Sequence, residues 1–90
     1  MELPEAREEP RQTPEEIREE AYKIRRLQMV VSMVMATIAQ DPTVTIEEAS
    51  ELVANTKRAA LVMFPGKELA WDLIYRPRLQ RLMRERFRLQ

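Results

Sequence analysis

Residues 29–39 read MVVSMVMATIA, and the way this stretch folds decides the rest. Eleven residues are too few to cross a membrane, which takes about 20 as a helix, so no membrane contact is expected. They are too many for an ordinary strand, and they continue a helical pattern that begins upstream. Only Ser32 and Thr37 interrupt the run. Both are small enough to bury if their hydroxyls bond back to the helix backbone. A helix that is apolar on every side needs cover on every side. That cover has to come from the other segments or from a second copy of the chain.

Upstream, Thr13-Pro14-Glu15-Glu16 supplies a capping hydroxyl, a proline at the first helical position and a glutamate three residues after the cap. On a helical wheel Ile17, Ala21, Ile24, Gln28, Val31 and Met35 share one face, with Leu27 and Ile38 at its edge. This face is expected to meet the chain's own helices. The opposite face is polar in the first half, with Arg18, Glu19, Tyr22, Arg25 and Arg26. In the second half it becomes Met29, Val30, Met33, Ala36 and Thr37. Asp41-Pro42 ends the helix, since a residue before proline avoids the helical region. One helix over about 14–40 spans roughly 40 Å, which is long for a chain of 90 residues.

Downstream, Thr45-Ile46-Glu47-Glu48 repeats the capping pattern, so a second helix is predicted to start at Ile46. Its apolar arc holds Ile46, Ala49, Leu52, Val53, Thr56, Ala59, Ala60, Met63 and Phe64, and Pro65-Gly66 closes it. A short third helix is predicted from Lys67 to Tyr75, with Leu69, Ala70, Leu73 and Ile74 inward and Trp71 at the edge. A fourth is predicted from about Pro77 to Phe87, with Leu79, Leu82, Met83 and Phe87 inward. Arg86 falls inside that last arc. An unpaired buried guanidinium is very costly, so Arg86 is expected to pair with a carboxylate of another helix. The single glycine and the lack of apolar–polar alternation argue against a sheet. The expectation is an all-α fold: a small bundle of about four helices with one long helix, self-associating.

Residues 1–12 carry Pro4 and Pro10 among charges, with only Leu3 and Ala6 apolar. This composition suits a flexible acidic arm, leaving residues 13–90 as a single helical domain. The first ten residues show neither the basic lead nor the apolar core of a secretory leader. With no cysteine in the chain, a cytoplasmic setting is the expectation.

The charges cancel overall but are unevenly placed. Residues 1–20 hold eight Glu and three Arg, a balance of −5. Residues 21–66 come to +1, and residues 67–90, with seven basic and three acidic groups, come to +4. A neutral chain is a poor general polyanion binder, so nucleic acid is the less favoured partner. The basic end is nonetheless organised, because Arg78, Arg81, Arg84 and Arg88 form one arc of the fourth helix. They suit phosphates or an acidic partner, and they equally suit a solvated face or links to the Glu-rich start.

Catalysis is not expected. The chain has no histidine and no cysteine, which removes the commonest general base and the thiolate nucleophile together. Ser32 lies in an apolar helix, and Lys23, Lys57 and Lys67 lie on or near polar faces. The carboxylate pairs Glu15/Glu19, Glu16/Glu20 and Glu47/Glu51 stand one turn apart on exposed faces, whereas Mg²⁺ and Ca²⁺ want several converging oxygens. No glycine-rich phosphate loop is present, and no cofactor or metal site is expected. Phe64, Trp71 and Tyr75 cluster near a helix connection, as a core corner or as a pocket for a partner peptide. The function these residues suggest is a non-enzymatic protein–protein interaction module, a homodimer or assembly subunit, with Met29, Val30, Met33, Ala36 and Thr37 at its self-association interface. The alternative is a nucleic-acid-associated accessory protein using the C-terminal Arg face.

Overall fold

The structure is a computed structural model that describes residues 12–88. The acidic-arm reading for residues 1–12 therefore lies outside the described residues, apart from Gln12. Four helices follow one another: α1 (Pro14–Gln40), α2 (Ile46–Met63), α3 (Glu68–Ile74) and α4 (Arg76–Phe87). No strand occurs among the described residues. The fold is a small all-α bundle.

Both capping boxes form. The Thr13 hydroxyl accepts from the Glu16 N–H at 3.1 Å and the Glu16 carboxylate accepts from the Thr13 N–H at 2.9 Å. Thr45 and Glu48 do the same at 3.1 and 3.0 Å. These bonds satisfy donors that a helix start otherwise leaves open. α1 stops where Asp41 turns extended, with ψ of 107°, as the following proline requires. Gly66, with φ of +78°, makes the left-handed step between α2 and α3 that a side chain would oppose. α3 and α4 share Tyr75 as the boundary residue. Pro77 has no N–H to carry the helical ladder across that point.

α2 runs back along α1, and α4 returns beside both. The core where they meet is Leu27, Val31, Ala60, Trp71 and Leu79, with Met35, Val53, Met63, Phe64 and Tyr75 packed against it. Ala49 and Ala60 are buried in α2, so small side chains mark its close approaches. Thr56 is buried too, and its hydroxyl donates to the Leu52 carbonyl at 2.6 Å, which removes the cost of an unpaired polar group.

The structure differs from the sequence reading, or leaves it open, in four places. First, the buried line of α1 is Leu27, Val31 and Ile38, while Ile17, Ala21, Ile24 and Gln28 are exposed. The packed face is rotated towards what the wheel placed at its edge, because α2 and α4 straddle Leu27 rather than Gln28. Second, the second half of α1 is not wrapped by the chain's own helices: Met29, Ser32, Met33, Ala36 and Thr37 stay exposed, which leaves open the expectation that a second copy covers them. Third, α3 is inverted. Trp71 is buried at 5% exposure, whereas Leu69 and Leu73 are 71% and 69% exposed, with Ala70 and Ile74 also outward. Only one side of a two-turn helix can face a small core, and the indole fills the most space there. Fourth, among the described residues Arg86 has no carboxylate within ion-pair distance; it bonds to the end of α1, as described below. The α4 arc is as expected, with Leu79 buried and Leu82, Met83 and Phe87 half-buried.

Candidate functional site

The outer face of α1 follows from the buried one. Leu27, Val31 and Ile38 take one side of the helix, so residues half a turn away look outward. These are Tyr22, Arg26, Met29, Met33, Ala36 and Gln40, all exposed. Their separations are four, three, four, three and four residues, the spacing of a helix–helix seam. Met29 and Met33 are 64% and 66% exposed. Val30 and Thr37 flank them and are exposed too, and the Thr37 hydroxyl is turned back onto the Met33 carbonyl at 2.9 Å. All five residues that the sequence assigned to a self-association surface therefore lie together on uncovered helix surface. On the α2 side, Val30 borders a groove that also contains Ala59, Val62 and Met63.

A second apolar surface lies at α3, where the sequence offered a pocket at Phe64, Trp71 and Tyr75 but placed Leu69 and Leu73 inward. Leu69, Leu73 and Ile74 of α3 stand outward, and Ile74 shares a groove with the exposed Ile24 of α1. This groove, of about 430 Å³, runs between α1, α2 and α3, lined in part by Ile24, Leu27, Phe64, Trp71 and Ile74. The sequence carried a signal for it: Leu69, Trp71 and Leu73 cannot all face inward on a two-turn helix. Trp71 and Tyr75 stack obliquely with ring centroids 5.2 Å apart, so this aromatic cluster forms a core corner with the groove at its rim.

Arg78, Arg81, Arg84 and Arg88 are all exposed on α4 and at its end. Arg78 leans over the Tyr75 ring at 6.0 Å. No described carboxylate stands within ion-pair distance of these four. The described ion pairs instead converge on Asp72, 3.8 Å from the Lys57 ammonium and 3.9 Å from Arg76. Arg86 points the other way. Its Nε donates to the Ile38 carbonyl at 3.0 Å and its Nη2 to the Asp41 carbonyl at 3.1 Å. A cation is thereby held at the negative end of the α1 dipole, a place where the last turn of α1 has no basic residue of its own. Asp41 accepts from the Thr43 hydroxyl at 2.7 Å and from the Thr43 N–H at 2.9 Å. These bonds, with the nearby Arg86 charge, hold its carboxyl below the usual carboxylate range.

Among the described residues no three acidic side chains gather as a metal site, and no helix is long and apolar enough to cross a membrane. No protein-family model, curated protein or solved structure matches this chain.

Proposed function

We propose that this chain is a non-enzymatic helical interaction module that pairs with a second copy of itself through the outer face of α1. The observation that carries the reading is the exposure of Met29 and Met33 within a seam-spaced row on the side opposite Leu27, Val31 and Ile38. Contiguous apolar surface of this kind usually marks an interface. Methionine suits one because it adapts to irregular gaps, and twofold pairing is the commonest assembly of small soluble chains. The absence of cysteine accords with a reducing compartment, the cytoplasm. Light scattering tests the pairing: the wild-type chain is expected at twice its 10.7 kDa mass at about 100 µM, a loose limit for a functional dimer. A monomer at that concentration would sink it.

The exposed arc of Arg78, Arg81, Arg84 and Arg88 supports a second reading, an accessory protein that contacts nucleic acid. Under it, duplex or RNA binding at physiological salt would be sub-micromolar, and log affinity would fall linearly with log salt.

A further inference from the structure

We infer that the two copies pair antiparallel through α1, with Met29 of one protomer opposite Met33 of its partner. This rests on the self-association proposed above and adds its geometry. The outer row is self-complementary under a twofold axis that passes in front of it at the level of Val31, which itself faces the core behind. Reversing the helix about that point sets Tyr22 against Gln40, Arg26 against Ala36 and Met29 against Met33, so every residue of the row meets another of the row. The twofold operation then builds one continuous seam from six positions used twice, as an isologous contact requires.

Charge selects this orientation over the parallel one. The outer face of α1 is charged only in its first half, where Arg18, Lys23, Arg25 and Arg26 against Glu15 and Glu19 leave a net +2, and the second half, Met29 to Gln40, carries no charge. A parallel pair would stack Arg26 on Arg26, flanked by Arg25 and Lys23 of both copies, in one layer. Like charges in such a layer repel. The antiparallel pair moves them to opposite ends. There Arg26 meets the small Ala36, while Lys23 and Arg25 flank Thr37 and Ala39. Each set of cations then sits beside the uncharged last turns of the partner's α1, well away from the other set. At the centre Met29, Val30 and Met33 of both copies close the apolar contact.

Cysteine cross-linking of the full chain reads the register, because the wild-type sequence has no cysteine. Tyr22 and Gln40 are both exposed. A disulfide needs its two Cα atoms within about 7 Å. In the antiparallel pair residue 22 adjoins residue 40 of the partner, while the two copies of residue 22 stand about 27 Å apart. The Y22C/Q40C double variant is therefore expected to oxidise to a covalent dimer. Y22C and Q40C are each expected to stay uncross-linked alone and to link when mixed. Circular dichroism confirms that each variant keeps its helices. Cross-linking of Y22C alone means a parallel pair and overturns the register while leaving self-association intact. A dimeric mass with no cross-link in any combination also overturns it and moves the contact to another face, such as that of α3. A monomeric wild type removes the self-association itself.

Discussion

At the scale of single residues, Arg86 does the most unexpected work. It was legible as a charge in an apolar arc, and the requirement for a partner followed. The partner's identity did not follow, because two backbone carbonyls serve a guanidinium as well as a carboxylate does and are invisible in a residue list. Arg86→Ala should remove two charge-assisted hydrogen bonds from the end of α1, at a cost of about 1.5–3 kcal/mol. Arg84→Ala, on the exposed face, should stay within about 0.5 kcal/mol. Urea midpoints of the two variants check this, and equal midpoints would show that the bonds to Ile38 and Asp41 contribute little. Asp41 gives a pH prediction with a definite sign. Its folded pKa is lowered, first by the Thr43 hydroxyl. Its contribution to stability is therefore present above the unfolded value of about 3.9 and is lost as pH falls through the folded value. Thr43→Val should raise the Asp41 pKa towards the ordinary range in a carboxyl NMR titration. An unmoved value would assign the shift to the Thr43 N–H and Arg86 alone.

At the scale of elements, α3 separates burial from hydrophobicity. Leu69, Leu73 and Trp71 are all apolar, yet only Trp71 is buried. Trp71→Ala should cost about 3–5 kcal/mol, a large part of the stability of so small a domain. Leu73→Ser, on the open side, should leave the monomer's melting temperature nearly unchanged. If Leu73→Ser instead destabilises a monomeric protein as much as Trp71→Ala, α3 is oriented as the sequence first suggested. The two capping boxes differ in the same way. Thr45 starts a helix packed along its length, and Thr45→Ala should cost about 1 kcal/mol globally. Thr13 starts a segment whose residues 14–19 are exposed on every side. Thr13→Ala should therefore fray the first turns, visible as faster amide exchange there, with little change in global stability.

At the scale of the whole molecule, the chain's own helices leave one side of its longest helix bare. Met33→Glu would set a charge in the middle of the proposed contact without touching Leu27, Val31 or Ile38. The expected result is a monomer by light scattering that keeps its helical circular dichroism and loses stability. A Met33→Glu protein with wild-type mass would mean that the seam is not the interface. The Arg arc belongs to this scale too. Replacing Arg78, Arg81 and Arg84 together by Gln should leave mass and helicity unaltered if pairing through α1 is the function. If the arc serves nucleic acid, the same change should flatten the salt dependence of binding by about one unit per lost phosphate contact.

The sequence by itself determined the number of helices, their order and their ends to within a residue or so. These features are local: a capping hydroxyl with its glutamate, a proline that blocks the helical region, a glycine that takes positive φ. Each acts within a few residues of itself, so no distant contact is needed to read it. The sequence also singled out Met29, Val30, Met33, Ala36 and Thr37 as one face. Which of the apolar faces would be covered was decided only by the tertiary structure. Both sides of α1 are apolar near its middle, and both sides of α3 carry large side chains. Periodicity therefore offers two solutions of similar hydrophobicity. The choice rests on where α2 and α4 fit around Leu27, Val31 and Trp71, a matter of volume shared between segments far apart in the chain. Burial follows from that packing, and so does the surface left uncovered.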